Sequence, residues 1–463
     1  MHEKNVRFMK IKWIAFVLIL IVSISVVYGL QIAQNNSHEN AEAIIDSIKT
    51  DELISRDYIS RVVSKLGSVE YDGRYPGTEG NQKASDFIAE EMAQIGLVEP
   101  QFAAEYRQVF TMVAPIKKAA TRFSILEGAN MDTLDFGEDF TEFVTRDYLR
   151  GIGRYKGTYK VVDDPFERYA FDGYEAVLYT TEAMQGISFD ALFNQIILLE
   201  DRPKVVMYES SQQNSGHFIL SPYSRAVKSN DNAQGLMVYK VSEAITDRLL
   251  DSENIQISVS THVEIHEIDV PNIIGMIDGS GEEGFLITAH FDHLGNNFDG
   301  SYNPGTLDNA SGTAVMLALA KALKIHANPE LDYYFAAFNG EEQGLYGSEA
   351  LALSGQIDSE KIQMINVDMV GASVDIPMMI SATSDQSKAY QNVAIEQAVQ
   401  FGIDVEASDS GSSDHVPFEY AGYRAISLTE LDKRFYHTPK DVTVDFDKMK
   451  TVATYIYHLV MSP

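Results

Sequence analysis

The chain has 463 residues, no cysteine and a formal net charge of −31, from 67 acidic against 36 basic side chains. Without thiols there can be no disulfide, thiolate metal site or cysteine nucleophile, so any metal must be held by His, Asp and Glu. The acidic balance, with no basic stripe along the chain to neutralise phosphates, excludes a nucleic-acid partner and fits a soluble, exported protein with room for two or three domains.

Residues 13–30, WIAFVLILIVSISVVYGL, form an 18-residue run without a charge. Lys4, Arg7, Lys10 and Lys12 precede it, and Glu39, Glu42, Asp46, Asp51 and Glu52 follow. This is the positive-inside pattern, and it predicts a cytoplasmic basic stub and transmembrane anchor over 1–30. An uncleaved single-pass anchor is favoured over a cleaved signal, since Val27-Tyr28-Gly29 makes a poor cleavage site. The catalytic part would then lie outside the cell membrane, or in the medium if the segment is cleaved.

A polar stalk over 31–50 leads into the first part of the main domain, 51–111. There ISRDYISRVVSKLGSV and NQKASDFIAEEMAQIGL read as amphipathic helices flanking a glycine-rich turn, YDGRYPGTEG. Residues 112–259 are aromatic-rich, with short strand-like runs such as YEAVLYTT, KVVMYES and GLMVYKVS. They predict an inserted, mostly β domain without a catalytic cluster. From 260 to 463 apolar strands (GFLITAHF, LDYYFAAFN, KIQMINVDMVG, RAISLTE) alternate with helices (SGTAVMLALAKALKI, QSKAYQNVAIEQAVQFG). That alternation predicts an α/β fold: a mostly parallel central sheet with helices on both faces, and ligands beyond the carboxyl ends of its strands.

Five segments place His, Asp or Glu at such ends: AHFDHLG (His290, Asp292), GTLDNASG (Asp308), FNGEEQG (Glu341, Glu342), INVDMVG (Asp368) and FYHTPKD (His437). Alone, each has a bland reading as a loop detail, a solvated helix start or a cap. Together they suit a two-metal hydrolase. A carboxylate such as Asp308 can offer one oxygen to each of two cations about 3.5–4 Å apart. An imidazole ligand such as His290 needs an orienting carboxylate, which Asp292 at i+2 can supply. Glu341 and Glu342 diverge, so one can ligate while the other faces water as a general base. Ser413, Asp414 and His415 are adjacent, so they cannot stack as a nucleophilic triad; Asp414 and His415 are candidates for the pocket wall. Tyr436 is a candidate donor to a developing oxyanion.

On the motifs DGRYPGTEG, VPNIIGMIDG, ITAHFDHLG, GTLDNASGTA, FNGEEQGLYGS, NVDMVG, SSDHVPFEYAG and YHTPKDV, the chain resembles the M28 family of zinc metallopeptidases from about Leu53 to Val460. The resemblance implies two zinc ions per chain, one on His290, Asp308 and Asp368 and the other on Asp308, Glu342 and His437. It implies that Asp292 orients His290, that Glu341 is the general base, and that peptides lose their N-terminal residues. The insert is positioned like the family's protease-associated domain. Where the family usually has Asp-Asp-Asn, this chain has Leu307-Asp308-Asn309, which leaves the bridging position intact. A carboxypeptidase, a glutaminyl cyclase and a non-catalytic receptor or scaffold are the alternatives on this fold.

Overall fold

The computed structural model describes residues 53–142, 152–196, 198–209, 236–251, 255–409 and 411–461. The anchor and stalk expected over 1–50 lie outside them, and no helix among the described residues is long and apolar enough to cross a membrane. Residues 55–463 cluster into one compact unit.

Helix α1 (Arg56–Leu66) starts at Ser55, whose hydroxyl accepts from the Tyr58 N–H, and buries Ile59, Val62, Val63 and Leu66 along one stripe. Helix α2 (Glu79–Ile95) is capped by Thr78 and stopped by Gly96, which takes the left-handed conformation that glycine adopts without strain. Next come β1 (Arg107–Lys117), β2 (Arg122–Glu127), β3 (Asn130–Thr133), β4 (Phe140–Glu142), β5 (Ile152–Gly157), β6 (Lys160–Val162) and β7 (Ala176–Tyr179). Helix α3 (Phe189–Ile196), β8 (Val205–Glu209), β9 (Met237–Val241) and α4 (Glu243–Leu250) follow, and then the 23-residue strand β10 (Ile255–Ile277). The chain continues through β11 (Gly284–His290), α5 (Gly312–His326), β12 (Asp332–Phe338), α6 (Tyr346–Ala352), β13 (Ile362–Val367) and β14 (Met378–Ser381). It ends with α7 (Asp385–Gln400), β15 (Val405–Ser408), α8 (His415–Tyr420), β16 (Arg424–Thr429) and α9 (Phe446–Met461).

The main sheet has the order β15-β14-β16-β13-β11-β12-β10. Its centre, β16-β13-β11-β12, is parallel as the strand–helix alternation predicts. Its flanks are antiparallel: β10 runs against β12, and the β14–β15 pair runs against β16. Every residue of β11 is buried, the signature of a strand covered on both faces. Helices α1, α2 and α9 pack with α5 on one side; α6 and α8 pack with each other on the opposite side, over Leu286, Phe338, Met364 and Phe418.

The boundary drawn at 259/260 falls inside β10. That strand pairs with β1 along 263–273 and with β2 and β5 over 255–262, so one strand passes from the main sheet into the insert. The insert also carries α3 and α4, and its five-stranded sheet β4-β9-β8-β7-β6 is parallel from β6 to β9. Two eight-residue helices are too short for their period to stand out in the sequence. Alternation along its strands sends Val177, Tyr179, Val206 and Val238 against Met112, Ala114 and Val270 of β1 and β10. The opposite set, Ala176, Leu178, Val205 and Met207, packs on Phe123, Ile125, Ile257 and Val259.

Candidate metal centre

The parallel register sets the carboxyl ends of β11, β12, β13 and β16 side by side, with His290 opposite Phe338 and Val367 opposite Leu428. His290 is the last residue of β11, Asp368 directly follows β13, and Glu341 and Glu342 lie just beyond β12. Asp308 sits in an irregular turn before α5, and His437 lies in the loop between β16 and α9.

Asp308 is shared between two clusters. Its Oδ1 lies 3.3 Å from His290 Nε2, which is also 3.3 Å from Asp368 Oδ1. Its Oδ2 lies 3.2 Å from His437 Nε2, which is 3.1 Å from Glu342 Oε2. The other oxygen of Glu342 contacts His293 Nδ1 at 2.7 Å. Donor atoms of His290, Asp308 and Asp368, and likewise of His293, Asp308 and Glu342, fall within 4.8 Å of one another. All these side chains are buried, and among the described residues no lysine or arginine forms an ion pair with these carboxylates, only imidazoles. Buried carboxylates normally take a cationic partner or a metal, so this donor set fits two divalent cations.

The residues behind the donors fix their direction. Asp368 Oδ2 accepts from Ser413 Oγ at 2.7 Å, Ser413 accepts from the Asn366 amide at 2.8 Å, and Asn366 Oδ1 accepts from the Thr288 hydroxyl at 2.8 Å. The Asp441 carboxylate accepts from the Leu307 N–H at 3.0 Å and the Asp308 N–H at 3.1 Å, holding the shared ligand's turn. The Asp292 carboxylate accepts from the N–H groups of Glu341 and Glu342, and its Oδ1 stands 3.7 Å from His290 Nδ1. It therefore positions the Glu-Glu turn as well as facing the histidine.

Arg74, from the DGRYPGTEG turn, is fully buried, yet every hydrogen bond of its guanidinium goes to a carbonyl: Leu66, Phe291, Pro304 and Gly305. It straps the loop after β11 to the loop before Asp308. Burial lowers its pKa to about 10, opposed by Asp292, Asp308, Asp441 and Glu342 nearby. Gly305 has φ +57°, and a Cβ there would stand 2.4 Å from the Asp308 carbonyl oxygen and 2.6 Å from Arg74 Nη2, so only glycine fits.

Burial disfavours charge throughout the pocket, and the neighbours decide the outcome. Burial pushes the Glu341 carboxyl well above the usual range although His290 opposes it. For Asp308 burial acts upward, but His290 and His437 outweigh it and hold the carboxyl well below. Burial raises Asp292 and Asp414 to about 7.

All seven residues expected to ligate or catalyse, His290, Asp292, Asp308, Glu341, Glu342, Asp368 and His437, converge here. A cavity of about 80 Å³ opens on His290, Asp308, Glu341 and Asp368, with His415 and Tyr436 in its wall. Asp414 is buried outside that lining. The Tyr436 and His437 rings stack with centroids 3.6 Å apart. Sequence reasoning passed over His293, Asp441 and Arg74, although each lies within a motif already singled out.

The model of peptidase family M28 matches residues 272–460. This stretch is similar to the peptidase family M28 domain. The chain is 34% identical over 166 residues to the aminopeptidase YwaD of Bacillus subtilis, covering 34% of this chain and 35% of that protein. It is 29% identical over 222 residues to a probable zinc metalloprotease of Pyrenophora tritici-repentis, covering 38% of this chain and 45% of that protein. The chain thus spans about a third to under a half of the length of these curated relatives. In fold, the chain is similar to the aminopeptidase from Aneurinibacillus sp. strain AM-1, with a TM-score of 0.63 at 18% identity over 90% of this chain and 98% of that one. A zinc aminopeptidase from Bacillus subtilis gives a TM-score of 0.62 at 19% identity over 88% and 95% of the two chains.

Proposed function

We propose that the protein is a co-catalytic dizinc aminopeptidase, tethered outside the membrane by residues 13–30. The observation that carries this reading is the division of the two Asp308 oxygens between two buried donor clusters. His290 and Asp368 would complete one cation site. Glu342 and His437 would complete the other, with His293 holding the far oxygen of Glu342. When bound, the cations supply Lewis acidity for the scissile carbonyl and for water.

The protein's own groups do the rest. Glu341 lines the open cavity, whereas Glu342 turns to the histidines, which supports Glu341 as the group that would take a proton from water and return it to the leaving amine. The Tyr436 ring, stacked on His437, sets one wall where the carbonyl oxygen would lie, and the carboxylates offer partners to a protonated α-amino group. The zinc aminopeptidase and zinc metalloprotease names of its relatives agree with this reading.

The test uses the full chain reconstituted with excess zinc. We expect two zinc ions per chain by elemental analysis and stepwise N-terminal trimming of peptides, abolished by N-acetylation. One ion or none, C-terminal trimming, ammonia release from N-terminal glutamine, or no turnover with both ions bound would each overturn it. For the tether, protease added to intact cells should reach the catalytic part while the chain partitions with membranes. A mature protein in the medium beginning near Leu30 would refute the anchor.

A further inference from the structure

On the insert side of β10, the strands β3, β2, β10 and β5 form an antiparallel face whose inward residues Phe123, Ile125, Ile257 and Val259 are core. The outward residues line up across the strands. Thr133, Ser124, Ser258 and Lys156 form one rung, and Arg122, Ser260 and Arg154 form the next. Short hydroxyl side chains in the middle and long cations at the edges make a trough of about 980 Å³, which Lys118 joins from the end of β1. Phe298, 48% exposed, borders it from the loop that links His293 to Asp308.

Lys118, Arg122, Arg154 and Lys156 are exposed. Among the described residues none of them forms an ion pair and no carboxylate lines the trough, although Glu264, further along β10, lies close enough to feel the Lys118 charge. That is a marked segregation of charge in a chain with 67 acidic and 36 basic residues.

We propose that this trough binds the acidic side chains of a peptide substrate, downstream of the residue held at the metal centre. The proposal rests on the aminopeptidase reading. Guanidinium groups match carboxylates bidentately, and hydroxyls donate to the remaining lone pairs. Successive rungs lie two residues apart along each strand, roughly 7 Å, the spacing of alternate side chains in an extended peptide. Acidic residues at i and i+2 therefore fit the two rungs. The opposite signs of pocket and trough suit one molecule with an ammonium at its start and carboxylates further along. Phe298 supplies an apolar contact on the loop shared with the metal centre. A membrane surface fits less well, because the cations border a recess floored by hydroxyls and only two exposed large apolar side chains, Met131 and Phe298, line it.

The test measures fluorescence anisotropy of labelled, N-acetylated peptides carrying Asp at alternate positions, against the same peptides carrying Asn, with the full zinc-loaded chain. Exposed surface ion pairs are individually weak, so the Asp peptide should bind about fivefold tighter. The preference should vanish in the Arg122→Ala/Arg154→Ala double variant and be largely screened at about 0.5 M salt. With free N-termini, KM for the Asp peptide should rise in the double variant by the same factor, while turnover of a single aminoacyl anilide is unchanged. Thermal unfolding shows that the variant folds, and Arg122→Lys/Arg154→Lys should restore part of the preference. Equal binding of the two peptides, or a preference that survives the double alanine variant, overturns the proposal. So does trough-dependent sedimentation with anionic vesicles without peptide discrimination. If the anisotropy preference holds but nothing is cleaved, the aminopeptidase reading is what has failed.

Discussion

Strand β10 runs from the floor of the basic trough, at Ser258 and Ser260, to Asn272, whose side-chain oxygen accepts from the Asn339 N–H just ahead of Glu341 and Glu342. The two surfaces it joins are built on different physics. In the metal centre every ligand is buried and each ligand carboxylate is held by a named hydrogen bond or imidazole, so the groups act as a unit. In the trough the cations are exposed and unpaired among the described residues, so their contributions should be small, roughly additive and screened by salt. Site-directed changes should therefore be severe and coupled at one end of β10, and mild and graded at the other.

The largest effect is expected at Asp308. Its oxygens serve both clusters, so Asp308→Ala should strip both zinc ions and lower kcat/KM by about 10⁴-fold or more, as loss of several kcal/mol of Lewis-acid stabilisation demands. Elemental analysis beside the kinetics checks this; retention of one ion would show that the clusters are independent. Glu341→Gln comes next, with a loss of about 10²–10⁴-fold and metal content unchanged, because the amide keeps the shape but removes the proton acceptor. Glu342→Gln should instead lose metal. The reverse pattern would exchange the roles of base and ligand.

A smaller effect separates the ligands from what holds them. Asp441 accepts from the Leu307 and Asp308 N–H groups and touches no substrate position. Asp441→Asn should weaken zinc binding by about 10–100-fold, the usual consequence of disturbing a ligand's support, and excess zinc should recover most of the activity. Activity that stays lost at saturating zinc would place Asp441 in the chemistry itself.

Asp441 also shows where sequence reading ran out. His290 and Asp368 were legible because they stand at the ends of apolar strands, with Glu341 and Glu342 just beyond another. Asp308 and His437, expected at strand ends too, sit in a turn before α5 and a loop after β16, and were legible by their motifs alone. The parallel centre of the sheet follows from strand–helix alternation. Asp441, His293 and Arg74 lie inside the same motifs, but their value depends on which backbone or side-chain group they meet, and short sequence spacing does not encode that. His293 stands three residues after His290, yet it contacts Glu342, 49 positions away. The trough was less legible still. Arg122 comes from β2, Arg154 and Lys156 from β5, and Lys118 follows β1; the first three face one way only because of the β2–β10–β5 register. The chain shows no basic stripe along its length, but it does across a sheet.

The smallest prediction puts one substitution at each end of the comparison. Ser413 bridges Asn366 to Asp368 in the buried centre, accepting at 2.8 Å and donating at 2.7 Å. Ser258 lies on the outer face of β10, opposite Ser124 and Lys156 in register. Both substitutions remove only a hydroxyl. Ser413→Ala leaves the Asn366 amide and one Asp368 oxygen without that partner in a dry environment, so zinc affinity should fall roughly tenfold. Ser258→Ala removes a hydroxyl that water can replace, so stability should stay within about 0.5 kcal/mol of the parent, and anisotropy with the Asp peptide should weaken by less than about twofold. Zinc titration and thermal unfolding of the two variants, run side by side, decide the matter. If Ser258→Ala destabilises as much as a buried polar loss, the face is a packed surface and not an open trough. If Ser413→Ala leaves zinc affinity untouched, the hydrogen-bond chain behind Asp368 does not orient that ligand.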